Sequence, residues 1–467
     1  MLAAVRLVLE QDAQNRILVC TPSHTAANVV TRRLGENNYL GPDQLLRLID
    51  LDRPVETIPI DILHYCHQKE GDGGFIIPLP AVLLRFRVIV CTCSDAYLLY
   101  AVGLTNEQLR IQRECFRRYL KTICTGFQLQ VELPNADQTH FTHLFMDEAA
   151  QASEPECLIP LSVVLDVGTD SRKVEVALVG DPRQLASTSY VQPTPSLMER
   201  LLLRPVRCLG GGKEHMLGDD LVQLTDWLRY SFRQNGAELL SVFLTLNYRG
   251  HPSFLMVPSS LFYSDKLQSM AVAQPATFWC SLLRRIEELS SPVLPATDDN
   301  TAVPPEVRYQ RQLSWPIHFR GVIGTDTKVT VESGLGTDSW ANQEEADVVA
   351  EIVETLATSK VPTQSIGVMS PFRGQVVAIR KALRARGLGA VNVGTVEDYQ
   401  SVEHHVVVLS LTRSTTDFLE HDMEHHMGLF GGQQYKRSNV AMTRAEFMFI
   451  VVRVHITLVA GRYGVDG

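Results

Sequence analysis

Short runs of buried-type residues recur along the chain, each closed by a polar, Gly or Pro turn. Ile17–Thr21 (ILVCT), Val88–Thr92 (VIVCT), His143–Met146 (HLFM) and residues 176–179 (VALV) form a first series. Residues 365–369 (SIGVM), 391–395 (VNVGT), 406–410 (VVVLS) and 447–452 (FMFIVV) form a second. Near-continuous apolar strands separated by helical stretches predict parallel sheets covered on both faces. Two such series predict two α/β domains, at residues 1–240 and 241–467. Ligands of open α/β sheets sit beyond the carboxyl ends of the strands, so the polar residues just after these runs are where chemistry is expected.

Two segments interrupt the pattern. Residues 95–139 are too long for an ordinary connection, and their centre (EQLRIQRECFRRYLK) is helical and basic, which predicts an insertion. Residues 201–241 join the two series through a Gly-rich turn (RCLGGG), and residues 291–305 are a Pro-rich loop. The length of 467 residues allows two to four domains with sizeable cores. With 45% hydrophobic and 20% charged residues, the composition excludes collagen-like and largely disordered chains. No apolar run is long enough to span a membrane, and residues 1–10 do not read as a signal peptide. The net charge of -9 excludes a globally basic coat for nucleic acid but not a locally basic groove. Nine cysteines occur without a CxxC pair, which points to a reducing, intracellular setting.

The strongest chemical signal is LFMDEAAQ at 144–151, where a strand ends in adjacent carboxylates, Asp147 and Glu148. This suits a nucleotide phosphohydrolase: the first carboxylate holds Mg²⁺ and the second orients the attacking water. Taken alone, an acidic turn at a strand end would look the same. LVGDPRQL at 178–185 ends a second strand in Gly and Asp and brings Gln184, whose amide can report on a γ-phosphate, although a plain Gly-Asp-Pro turn is the simpler account. Arg249 in NYRGHP and Arg444 in NVAMTRA could converge on a phosphate, while each alone reads as a surface residue.

The ordered set is specific where its members are not. TPSHTAA, TCS, DEAAQ, GDPRQL, NYRGHP, SPFRGQ, GTVEDYQSVE and NVAMTRA follow one another at strand ends. The set resembles the superfamily 1 helicases of the upframeshift-like branch, from Ile17 to about Val452. Intervening segments at 44–61, 86–94, 316–324 and 342–348 resemble more closely the RNA helicases of small-RNA silencing, the Armitage and silencing-defective type. The resemblance implies two tandem RecA-like domains that hydrolyse ATP with Mg²⁺ in the cleft between them. It implies that Asp147 holds Mg²⁺, Glu148 activates water, Gln184 senses the γ-phosphate, and Arg249 and Arg444 stabilise the transferred group. Tyr248 would pack near the adenine, and Gln400 and Glu403 would couple nucleotide to nucleic acid. Thr21, Pro22, Ser23 and His24 would form the first single-strand contact loop, Thr92 and Ser94 a second. Pro371, Arg373, Gln375 and Thr395 would contribute contacts from the second domain. Hydroxyls and backbone amides at strand ends grip phosphates without reading bases, which suits a sequence-tolerant motor.

The sequence departs from the pattern in places. No GxxxxGK[ST] occurs; Gly212–Lys213 is followed by Glu214. In the family this loop lies about one helix ahead of the first strand, and residues 1–10 are expected to be the helix that follows it. QSVE at 400–403 stands where the family has Gln-Gly-x-Glu, so Ser401 adds a Cβ. Arg453-Val454-His455 replaces a Gly-Asn. Three functions remain open: an ATP-dependent helicase moving 5′-to-3′ on single-stranded RNA, an inert RNA-binding or regulatory protein, and a DNA helicase of the same superfamily. The first implies a monomeric motor working with Argonaute-type ribonucleoproteins, in the cytoplasm or its granules. HDMEH at 421–425 has zinc-site spacing but no third ligand, and reads as an exposed polar segment. His404-His405 reads as surface, and the basic run 110–121 as a solvated helix face that could also touch RNA.

Overall fold

A computed structural model describes residues 1–69, 71, 73–127, 139–166, 174–185, 195–202, 206–207, 214–215, 232–234, 237–239, 242–271, 282, 316–331, 337–400, 402–414, 422, 428–429 and 435–454. The chain divides into two compact units, Met1–Pro205 and Val206–Gly467. The expected boundary at 240/241 falls among residues that are largely outside the described ones, as do the Pro-rich loop, Ser401, His455 and all of HDMEH except Asp422.

In unit 1, α1 (Leu2–Gln11) leads into a five-stranded sheet. Its strands are β1 (Ile17–Thr21), β2 (Leu45–Arg47), β3 (Val88–Thr92), β4 (His143–Met146) and β5 (Glu175–Leu178), in the order β2-β3-β1-β4-β5. Every pairing is parallel. The central β1 is buried at all five positions, so both faces must be apolar. Its even residues Leu18 and Cys20 pack in one core, and Ile17 and Val19 in the other. Three strands coincide with the apolar runs read from the sequence; β2 was not foreseen, because three residues ending in Arg47 carry no strand signature. Helix α2 (His24–Gly35) follows β1. The insertion between β3 and β4 contains α3 (Asn106–Phe127), whose Arg110 is tied to Asp166 at 2.7 Å. Helix α4 (Glu154–Val164) starts at a capping box in which Ser153 and Glu156 satisfy each other's backbone N–H groups.

In unit 2, α5 (Pro252–Phe262) precedes a second five-stranded parallel sheet. Its strands are β6 (Ile317–Val322), β9 (Ile366–Ser370), β10 (Asn392–Thr395), β11 (His404–Ser410) and β12 (Ala445–Val454), in the order β6-β12-β11-β9-β10. An antiparallel hairpin of β7 (Thr327–Val331) and β8 (Thr337–Ala341) was not foreseen. Helices α6 (Gln343–Thr358) and α7 (Arg373–Ala385) contribute Val349, Ile352, Val353, Val376 and Ile379 to the core, and α8 (Tyr435–Met442) leads into β12. Gly374 lets the start of α7 press on the hairpin: a Cβ there would meet Val329 at 2.5 Å and Trp340 O at 2.7 Å. Arg413 lies 4.0 Å from the Trp340 ring and 4.7 Å from the Phe372 ring, and bonds Asp326 at 2.8 Å. His404 corrects an expectation. It is buried rather than surface, with Nδ1 3.2 Å from Gln364 O and its ring beside Tyr399.

Candidate nucleotide and nucleic-acid sites

The carboxylate pair of unit 1 stands in a turn that its neighbours hold tightly. Asp147 N–H donates to Cys20 O at 2.9 Å, and Ala149 N–H to Val179 O at 2.8 Å. Between them Glu148 takes φ +55°, a left-handed conformation that costs a non-glycine residue about 1 kcal/mol or more. Burial, and then the charge of Glu148, push the Asp147 carboxyl up to about 6, against the pull of the Met1 amino group at the start of α1. A half-buried carboxylate beside a like charge is a place where a divalent cation is favoured.

The GDPRQL turn lies against this one. A Cβ on Gly180 would stand 2.8 Å from Ala150 N and 3.0 Å from Ala149 N, so the two turns pack backbone to backbone. Asp181 organises the second turn: it accepts from Arg183 N–H at 2.9 Å and from Gln184 Nε2 at 2.9 Å. The structure thus brings Asp147, Glu148 and Gln184 to one end of the sheet, on adjacent strands β4 and β5. No group of three or more His, Cys, Asp or Glu suited to a metal occurs among the described residues. Mg²⁺ does not need one, because it is commonly held by one or two carboxylates with phosphate and water.

The two loops of unit 1 expected to contact nucleic acid rise from the same end. Thr21 and Thr92 are register partners, and Cys93 N–H donates to Thr21 O at 2.8 Å. Both threonines are buried. Thr21 Oγ1 donates to Ser23 O at 2.7 Å, and Thr92 Oγ1 accepts from Asp95 N–H at 3.0 Å. They shape the loops, while Pro22, Ser23 and His24 are part-exposed and Ser94 is exposed. Ser23 also caps α2, accepting from Ala26 N–H at 3.2 Å.

In unit 2 the implied residues separate into two groups. Pro371 and Arg373 follow β9, and Thr395 closes β10; Ser370 pairs with Thr395, so these lie at the carboxyl end of the sheet. Gln375 is also there but is fully buried. Its Oε1 accepts from Asn342 N–H at 2.7 Å and its Nε2 donates to Ser410 Oγ at 2.9 Å. Ser410 Oγ in turn donates to the buried Glu345 at 2.6 Å. Gln375 therefore holds the loops in place rather than presenting its amide, which corrects its expected role as a direct contact.

The second group gathers at the opposite end. Glu403 precedes β11 and Arg444 precedes β12, where His404 pairs with Ala445. Arg249 Nε donates to Glu403 Oε2 at 2.5 Å and its Nη1 to Thr443 O at 3.2 Å. Arg444, 3% exposed, donates through Nη2 to Thr443 Oγ1 at 3.1 Å and through Nε to Val440 O at 3.2 Å. Tyr248 is exposed beside Arg249, and Gln400 is buried. The residues expected at the carboxyl ends of strands stand there in unit 1, whereas Glu403 and Arg444 of unit 2 stand at amino ends. Glu403 and Arg444 lead into their strands instead of following them.

Comparison with known proteins shows what the chain is similar to. Two family models, both described as AAA domains, match residues 105–191 and 229–454. Human RNA helicase Mov10l1 is 31% identical over 451 residues, covering 94% of this chain and 29% of that protein. The chain is similar over nearly its whole length to helicases of the Armitage and MOV-10 type. Among these, the Drosophila melanogaster probable RNA helicase armi is 28% identical over 93% of the chain and 32% of its own length. The Gallus gallus putative helicase MOV-10 is 26% identical over 96% and 40%. The chain thus spans less than half the length of these helicases. Each of its two units is α/β with a five-stranded parallel sheet, the fold class expected from the sequence. No helix among the described residues is long and apolar enough to cross a membrane. Sequence reasoning missed Arg47, Asp95, Asn342 and Glu345, all buried. Arg47, Asn342 and Glu345 fall inside segments that marked the silencing-type helicases, which was the available signal.

Proposed function

We propose that the chain is the motor core of an ATP-dependent RNA helicase that moves 5′-to-3′ along single-stranded RNA in small-RNA silencing. The observation that carries this is the Asp147–Glu148 turn, packed backbone to backbone on the turn that bears Gln184. Two half-buried carboxylates beside an amide suit a magnesium–phosphate group better than a plain turn. In this role Asp147 holds Mg²⁺, which would offset charge on the phosphates. Glu148 orients water and takes its proton, and Gln184 reports on the terminal phosphate through its amide. In unit 2, Arg249 and Arg444 supply positive charge to a phosphoryl group, with Nη2 of Arg249 making no hydrogen bond among the described residues. Tyr248, Gln400 and Glu403 serve the base and the coupling to RNA. Pro22, Ser23, His24, Ser94, Pro371, Arg373 and Thr395 grip the RNA backbone, while Thr21, Thr92 and Gln375 hold the loops that carry them. A monomeric motor, acting on Argonaute-type ribonucleoproteins in the cytoplasm or its granules, fits this role.

The test is ATP turnover stimulated by oligouridylate, in this chain and in a version extended upstream by a GxxxxGKT loop and its strand. Turnover in the extended version that disappears in Glu148→Gln supports the motor. Oligouridylate binding without turnover in either version would assign the chain an RNA-binding role instead, and preference for oligothymidylate at fixed salt would assign it DNA.

A further inference from the structure

Beneath the first contact loop of unit 1 lies a polar cluster that the motor reading does not use. Arg47 closes β2 and is 1% exposed. A guanidinium so deep needs acceptors for its N–H groups. Its Nη1 donates to Leu48 O at 2.5 Å, its Nε to Asn28 Oδ1 at 3.2 Å, and its Nη2 to His24 Nδ1 at 3.3 Å. Arginine only donates, so the last contact decides the state of the histidine. Nδ1 carries the lone pair, and the proton of the neutral ring sits on Nε2. That nitrogen makes no hydrogen bond among the described residues and is not sealed from solvent.

A second neighbour pulls the other way. Asp95 is 7% exposed, and its Oδ2, which makes no hydrogen bond among the described residues, lies 3.8 Å from His24 Nδ1. A proton on Nδ1 would find its acceptor there. The charges of Arg53 and Asp50 also act on the ring. Burial, the largest influence, holds the His24 imidazole below the ordinary histidine range; Arg53 and Arg47 add to it, and Asp95 and Asp50 oppose it.

We propose that Arg47 is a positioning residue that fixes His24 as the Nε2–H tautomer, so that the loop after β1 offers a neutral imidazole N–H to a phosphate of single-stranded RNA. This rests on the RNA-contact role of that loop. It has a signature of its own. A neutral donor strengthens the grip without displacing a counterion, so it adds affinity but nothing to the salt dependence, whereas a protonated histidine would add about 0.7 to the slope on a single strand.

The test uses the whole chain labelled with ¹⁵N-histidine, and a fluorescein-labelled oligouridylate. Long-range ¹H–¹⁵N spectra separate protonated from unprotonated ring nitrogens, and the His24 signals are those lost in His24→Phe. The expected result at neutral pH is an unprotonated Nδ1 and a protonated Nε2. In Arg47→Met the proton moves to Nδ1. Oligouridylate affinity falls about fivefold in His24→Phe and in Arg47→Met, no further in the double variant, and the salt slope is unchanged. A wild-type ring protonated on Nδ1, or a salt slope lowered by about 0.7 in His24→Phe, overturns the proposal. Where Arg47→Met fails to fold, Asp95→Asn decides: a tautomer set by Arg47 survives it, and a proton held on Nδ1 by Asp95 does not. Absence of oligouridylate binding by the wild type overturns the RNA role of the loop, while the ring spectra still report whether Arg47 sets the tautomer.

Discussion

Arg249 and Arg444 meet at Thr443, one bonded to its carbonyl and the other to its hydroxyl. The same hydroxyl donates to Asn439 O at 2.8 Å, which anchors it to α8. Thr443→Val keeps the carbonyl and the shape but removes the hydroxyl. We expect ATP turnover to fall about tenfold, the scale of one lost hydrogen bond to a charged group. Oligouridylate affinity should be unchanged, and steady-state turnover beside a binding titration would check both.

Asp147→Asn should abolish turnover and yet stabilise unit 1. Burial and Glu148 disfavour the Asp147 carboxylate, so the folded chain carries a charge it would be better without. The gain expected at neutral pH without Mg²⁺ is about 1 to 3 kcal/mol. Urea unfolding of the two proteins would show it; an unchanged or lower midpoint contradicts the strained site described above.

Gly180→Ala should destabilise unit 1 by about 2 kcal/mol, because the added carbon stands 2.8 Å from a backbone nitrogen that has no side-chain freedom to yield. Turnover should fall with it, since the displaced backbone is that of the Asp147 turn. Unfolding midpoints and turnover measured on one preparation would test the link.

Acid should weaken unit 1 through His140. Burial, with Arg16 and Arg113, pushes its imidazole down to about 4. The unfolded chain takes up this proton near 6.5, before the folded chain does, so the contribution is complete above that pH and drains as the pH falls towards 4. The loss at pH 5 is about 2 kcal/mol. His140→Phe should flatten the dependence of the urea midpoint between pH 7 and 5; an unaltered slope would show that His140 is not its source.

What the sequence disclosed followed from how local each signal was. β1, β3 and β4 were legible because strands buried on both faces must be apolar throughout, and each ends at a polar turn. β2 and the β7–β8 hairpin were not, since Leu45–Arg47 is too short for a period, and the hairpin is held by packing against Gly374 and Arg413 from elsewhere in the chain. Asp147, Glu148 and Gln184 could be placed together from their strand ends alone. That Gln375 is an inner support, or that Arg47 underlies His24, depends on which side chains meet across 33 and 23 residues of sequence. No local pattern records such meetings.

The separation of the two groups in unit 2 has a mechanical meaning. Glu403 and Arg444 sit at the amino ends of β11 and β12, and Pro371 and Thr395 at the carboxyl ends of β9 and β10. The seven residues of β11 bridge about 20 Å between these ends. A pull on the strand-end loops would run along stiff covalent backbones, and neighbouring strands would resist it in shear, with every rung of the parallel ladder loaded at once. A sheet loaded this way behaves as a strut rather than a zipper. Displacement at one end is delivered to the other with little lost to stretching between them.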